Sequence, residues 1–278
     1  FLLQSLEERL YLIFVNQSLI IRKPNNINIM KTTIFTAITL LVFLSSSKLN
    51  NLSAQANIDL ETGVVTTGYN DVRIPGDSGT PFSLKDDLSA KSKIFYRLRV
   101  SYTIKSRHTL SILYAPLEVK SEGKVSTDIS FAGELFPANS DIKATYKFNS
   151  YRLTYRYDFV QKSKFDLGLG FTAKIRDARI ALKSNGLSAE KSNVGFVPII
   201  NFRLMWKLND NLGLLIDGDA LVAKQGRAED VLVAATYRVN EHLGLRAGYR
   251  ILEGGADNDE VYGFALFHYA SLGFTYSF

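Results

Sequence analysis

The chain has 278 residues, a formal charge of +6 at neutral pH and 46% hydrophobic residues, with a mean hydropathy of zero. It has no cysteine, which excludes a disulfide framework and a thiolate metal site. No downstream run of 18 consecutive apolar residues occurs, so no helix spans a membrane, and no Lys/Arg stripe with interleaved aromatics points to nucleic acid.

Residues 1–29 lie ahead of Met30 and read as an upstream extension outside the fold, although Leu10–Ile21 is apolar. Residues 30–56 have the form of a secretory signal. Met30-Lys31 is a short basic start, Ile34–Leu44 is apolar, Ser45–Ser53 is polar, and Ala54-Gln55-Ala56 fits a small-x-small cleavage site. Cleavage is expected after Ala56, with the Ser45–Ser47 run as the alternative. Arg9, Arg22, Lys23, Lys31 and Lys48 would leave with this leader, so part of the positive balance does not belong to the remaining domain, residues 57–278.

Alternating segments follow. Strands are expected near Ile58–Gly68, at Ser92–Ile104, from Thr109, up to Phe159, and at Phe165–Leu182, Val194–Leu208, Leu212–Ala223, Asp230–Val239, Leu243–Leu252 and Val261–Phe278. In Phe165–Leu182, Phe165, Leu167, Leu169 and Phe171 alternate with Asp166, Gly168, Gly170 and Thr172. Such period-two patterns make one oily face and one polar face. Tight turns are expected at Lys105–His108, Val160–Lys164, Asn209–Asn211 and Asn240–His242, and the intervening connections are longer. Alternation breaks between Tyr114 and Leu117, around Pro116, and again between Phe148 and Tyr151. Either a bulge restores register at each break or the hairpin leaves the membrane there and projects outward.

The chain ends Ser271-Leu272-Gly273-Phe274-Thr275-Tyr276-Ser277-Phe278, an aromatic face backed by a small polar one. The order polar, any, Gly, any, any, aromatic, any, aromatic falls on Ser271, Gly273, Tyr276 and Phe278. It resembles the C-terminal signal by which insertion machinery reads bacterial outer-membrane β-barrels. The expected fold is therefore all-β: a closed antiparallel up-and-down transmembrane barrel of ten strands, with tight turns inside and longer loops outside. Eight strands follow if the first or third hairpin is misread, and twelve if Val125–Leu135 spans. The resemblance implies the outer membrane of a Gram-negative bacterium, with the lipid bilayer, lipopolysaccharide and the insertion machinery as partners and a monomer as the working state.

Strand parity sends Arg97, Arg99, Arg152, Arg156, Asp158, Lys174, Arg176, Arg203, Asp217, Asp219, Arg238, Arg246 and Arg250 inward. A lumen of ten strands is narrow, and a plug of Arg–carboxylate pairs is expected to fill it. The competing expectation is a cation-lined path for small anions. Glu253, Asp257, Asp259 and Glu260 form an acidic cluster in an outer loop, near Gln225–Asp230. The run lacks a full calcium-loop pattern, so neither metal nor cofactor is assigned.

Two enzyme families come into view. A ten-stranded barrel with carboxylates at its mouth looks like the omptin proteases, which pair acids with a His. Here His108 and His242 fall in the inner turns. The lipid A deacylase barrels carry a His-x-Ser pattern on the outer wall, and this chain has Ala270 in the third place after His268. No catalytic residue is assigned, and the expected role is structural or adhesive, or narrow passage of small solutes.

Overall fold

A computed structural model describes residues 54–223 and 226–278. The expected leader up to residue 53 lies outside the described residues. Its expected end, Ala54–Ala56, is the start of the first strand. In chain order the elements are β1 (Ala54–Arg73), β2 (Phe82–Ser83), β3 (Ser89–Ala90), β4 (Lys93–Ile104) and β5 (His108–Ala115). They continue with β6 (Glu118–Lys124), β7 (Ile129–Phe131), β8 (Glu134–Phe136), β9 (Asp141–Gln161) and β10 (Phe165–Ser184). The last five are β11 (Leu187–Lys207), β12 (Leu212–Ala223), β13 (Gly226–Arg238), β14 (Leu243–Asp257) and β15 (Tyr262–Ser277).

Ten of these close a ring in the order β1, β4, β5, β9 to β15 and back to β1, each pair antiparallel. Closure runs from Asn57↔Ser277 to Arg73↔Tyr262, so no ring strand is left as an open edge along that seam. Val125–Leu135 does not span. It feeds the small β7–β8 hairpin, whose register is Ile129↔Phe136.

The four expected tight turns all lie at one end, together with Ala54 and Phe278; at the other end the longer loop expected after Leu182 is instead a two-residue turn, Asn185-Gly186, because β10 and β11 stay paired up to Ser184↔Leu187. At Lys105 and Ser106 φ is 50° and 58°, left-handed geometry that lets the chain reverse within three residues, the Arg107 N–H closing on the Ile104 carbonyl at 3.2 Å. Asn209 Oδ1 accepts the N–H of Asn211 and Leu212, and Asn240 Oδ1 accepts those of His242 and Leu243, at 2.8–2.9 Å. These side chains mimic a turn of backbone, so short polar connections suffice. By the rule for bacterial barrels this is the periplasmic end. His108 belongs to β5 rather than to the turn before it.

Leu60, Leu153, Tyr155, Leu169, Phe171, Trp206, Tyr249, Phe274 and Tyr276 are exposed on the outer wall, whereas Arg97, Arg152 and Arg250 are buried inside. This is a membrane-spanning wall of the outer-membrane type, oily outward and ionic inward.

The wall changes chemistry with height. Ala115 pairs Ser150 and Glu118 pairs Lys147, so register passes unshifted across Pro116. Thr109, Ser111, Leu113, Ala115, Leu117, Val119 and Ser121 are all buried, in unbroken alternation. The expected bulges at Pro116 and near residue 149 are therefore absent; the hairpin instead leaves the membrane. Below Pro116 the outer face meets lipid and is apolar. Above it the outer face meets water, and Glu118, Lys120 and Glu122 turn outward while Leu117 and Val119 turn in. Register does shift at two other places, between Thr67 and Tyr69 in β1 and between Leu167 and Gly168 in the β9–β10 ladder.

Within this upper storey the segments carrying β2, β3, β7 and β8 fold over the mouth. Val72, Leu84, Ile129, Phe131, Phe136, Ile142 and Leu182 are its most buried side chains, none more than 1% exposed. Burying each contributes about 1.5–3 kcal/mol. A second apolar layer of Val65, Phe95, Leu117, Val119, Phe267 and Tyr269 lies inside the wall as well. At the surface Lys91 pairs with Glu122 at 2.5 Å, and that hydrogen bond and charge hold the Glu122 carboxyl below its ordinary range.

Candidate functional site

Beneath the apolar layers the lumen is crossed by a plate of ion pairs. Asp230 lies at its centre. It accepts hydrogen bonds from Arg97 at 2.9 Å and Arg152 at 2.5 Å, and from Arg250. Glu61 accepts from Arg250 at 2.7 and 2.8 Å, from Arg246 at 3.2 Å and from the Ser271 hydroxyl at 2.9 Å. Asp219 takes Arg152 at 2.6 Å, Thr172 at 2.8 Å and Asn201 at 3.0 Å. Asp217 pairs with Arg99 at 2.8 Å. Alternation along each strand aims these groups inward, and strands across the lumen supply the opposite charge: Arg97 on β4 and Arg152 on β9 both reach Asp230 on β13. Taking an ion out of water costs several kcal/mol, and only this density of charge-assisted hydrogen bonds offsets it.

The remaining residues expected in the lumen take other places. Arg246 bonds Asp59 just below the plate, at 2.8 Å through Nη2. Arg156 pairs with Asp158 at 2.9 Å, lower on the wall. The inward face of Gly168 leaves room for that pair, since a β-carbon there would lie 2.1 Å from Asp158 Oδ1. Lys174 is buried with its ammonium 4.9 Å from the centre of the Phe148 ring. Arg176 bonds Asn193 at 2.6 Å in the upper wall, and Arg238 is exposed at the lower rim.

Glu61, Asp59 and Asp230 were not among the expected lumen residues. Asp230 was expected at the boundary between an outer loop and a strand, but β13 begins at Gly226 and carries it to the middle of the barrel. Its parity with Leu232 and Ala234, opposite Val231 and Val233, was the available signal. For Glu61 and Asp59 it was their alternation with Ile58 and Leu60.

Below the plate the lumen opens into a vestibule of about 690 Å³, lined by Arg99, Arg156, Arg203, Asp217 and Arg246 and by turn residues such as Asn209 and Asn240. On the other side of the plate the void between Arg97, Arg152, Phe95, Leu117 and Tyr269 is about 10 Å³. That is at the lower limit for a single water.

The four acidic residues expected as an outer cluster diverge. Glu253 faces outward and accepts Arg227 Nε at 2.8 Å, with the Tyr69 hydroxyl also bonded to it. Glu260 pairs with Lys191 at 3.0 Å. Asp259 gives its backbone carbonyl to the Gly76 N–H at 2.8 Å, and Asp257 is exposed. Among the described residues no group of His and carboxylates converges as a metal site.

The histidines stand apart from carboxylates. His108 shares a hydrogen bond with the Tyr155 hydroxyl at 2.8 Å, His242 bonds the Ser277 carbonyl at 2.9 Å, and His268 bonds the Tyr249 hydroxyl on the outer wall. Ser271 points the opposite way from His268, to Glu61. In the terminal motif Tyr276 and Phe278 are exposed to the lipid side, with ring centres 5.0 Å apart.

No protein-family model and no curated protein matches the chain. Solved structures do. The outer membrane protease OmpT from Escherichia coli aligns over 84% of this chain and 100% of its own, at 10% identity and a TM-score of 0.51. The translocator domain of the autotransporter NalP from Neisseria meningitidis aligns over 91% and 99%, at 11% identity and a TM-score of 0.43. At such identities the likeness is one of fold. The chain has the outer-membrane β-barrel fold.

Proposed function

We propose that this outer-membrane barrel, in a Gram-negative envelope, is closed to through-passage and serves as a structural or adhesive scaffold. It holds an extracellular β-built storey above the membrane. The observation that carries this reading is the contrast across the ion-pair plate, with about 690 Å³ of vestibule on the periplasmic side and, directly behind Arg97 and Arg152, a void of about 10 Å³. A solute would have to break buried Arg–Asp pairs and then part an apolar core. Lipopolysaccharide and the barrel-insertion machinery are its proposed partners, and it works as a monomer.

Planar-bilayer recording on the purified full chain tests the reading. The expected trace has no discrete conductance steps at any voltage the bilayer tolerates. Steps that recur with a defined amplitude would make the protein a channel.

A further inference from the structure

One carboxylate in the vestibule roof is left half-satisfied beside a guanidinium that does not reach it. Arg203, on β11, lies 4.0 Å from Asp217 Oδ1, beyond hydrogen-bond range. Arg99 takes the other oxygen, Asp217 Oδ2, at 2.8 Å. Asp217 is 3% exposed, and its Oδ1 is buried without a hydrogen-bond partner among the described residues. Both side chains line the vestibule. The neighbouring Arg156 is matched by Asp158 at 2.9 Å. One carboxylate therefore serves two guanidinium groups in this sector, which leaves a local excess of one positive charge.

A group that completes this arrangement must give acceptor oxygens to Arg203 and a hydrogen-bond donor to Asp217 Oδ1. Two oxygens of a single tetrahedral oxyanion are close enough together to do both, provided one of them still carries its proton. Sulfate at neutral pH has no proton to offer, so it would set an anionic oxygen against a buried carboxylate. A phosphomonoester, with its second pKa about 6, has largely lost its proton by neutrality. Inorganic phosphate keeps at least one.

We propose that the vestibule binds inorganic phosphate from the periplasmic side, with Arg203 as the anion-binding group and Asp217 as the acceptor that selects a protonated oxyanion. This goes beyond the closed-scaffold reading and does not depend on it, because the site lies on the open side of the plate.

Titration calorimetry on the full chain refolded in detergent micelles, at neutral pH, tests the proposal with inorganic phosphate, sulfate and glycerol phosphate. Phosphate is expected to bind at least about tenfold more tightly than either of the others, the scale of one hydrogen bond to a charged group. Arg203→Gln keeps the Asp217–Arg99 pair and is expected to weaken phosphate by about tenfold or more. Asp217→Asn, where it folds, is expected to bring phosphate and sulfate within about twofold of each other, because an amide can donate to either anion. The heat-dependent gel shift of each variant reports whether the barrel has formed. Should Asp217→Asn not fold, the wild-type preference and the Arg203→Gln loss decide the matter. No saturable phosphate binding, equal binding of sulfate, or phosphate binding unchanged in a folded Arg203→Gln variant would each overturn the proposal.

Discussion

Gly273 and Arg246 occupy the same space: a β-carbon built on Gly273 lies 2.4 Å from Arg246 Cζ and 2.5 Å from its Nε. Arg246 crosses this gap to reach Asp59 and Glu61. The glycine of the terminal motif thus has a folding role of its own, as the floor on which a lumen cation rests.

Gly273→Ala is accordingly expected to push Arg246 away from Asp59 and to destabilise the barrel by about 1–3 kcal/mol, the usual cost of overpacking. Urea unfolding of protein refolded in vitro measures this without involving the insertion machinery. An unchanged midpoint would mean that Arg246 is free to move.

Asp230 receives three guanidinium groups, so Asp230→Asn removes the charge that holds Arg97, Arg152 and Arg250 together. Breaking a buried ion network from one side is expected to cost about 3–5 kcal/mol. Asp257→Asn, at an exposed position, is expected to stay within about 0.5 kcal/mol of wild type. The two unfolding curves separate a lumen role from a general effect of lost charge.

Phe131 is fully buried in the upper storey, edge-on to Phe82 with ring centres 6.0 Å apart. Phe131→Ala is expected to cost about 3–5 kcal/mol. Because the storey lies above the plate, its loosening is expected to show as faster amide exchange around β7 and β8 while the lumen still carries no current. Conductance in this variant would place the seal in the cap instead of the plate.

Phe171 and Lys183 share the outward face of β10, one in the lipid band and one above it. Phe171→Lys is expected to cost about 2–4 kcal/mol in a bilayer, the price of a cation near midplane. Lys183→Phe, an exposed change in water, is expected to alter stability by no more than about 0.5 kcal/mol. Equal effects at the two positions would move the membrane boundary.

Much of the architecture was legible in the chain because period two is a local property. Ile58 to Phe278 could be divided into ten segments from alternation and turn residues, and the inward set from Arg97 to Arg250 followed from parity. What alternation could not reveal was which solvent each face meets. At Pro116 the oily residues change sides, and a strand read in isolation gives the same signal for a slipped register as for a change of solvent. Asp230 was misplaced for a related reason. A carboxylate after Ala228-Glu229 looks like loop chemistry until its neighbours across the barrel supply three cations.

The amino-acid sequence by itself determined the two-faced strands, their up-and-down order, the four tight turns at the end that holds Phe278 and the aromatic finish, because each depends on residues close together in the chain. The tertiary structure alone decided that Glu61, Asp217, Asp219 and Asp230 meet Arg97, Arg99, Arg152 and Arg250 in one plate, with Arg246 joining it from below, and that the loops after β1 and β6 fold into an apolar core over it. Those partners come together only when the sheet curls and closes, which brings residues such as Glu61 and Arg250, or Arg97 and Asp230, from opposite parts of the chain into hydrogen-bond contact.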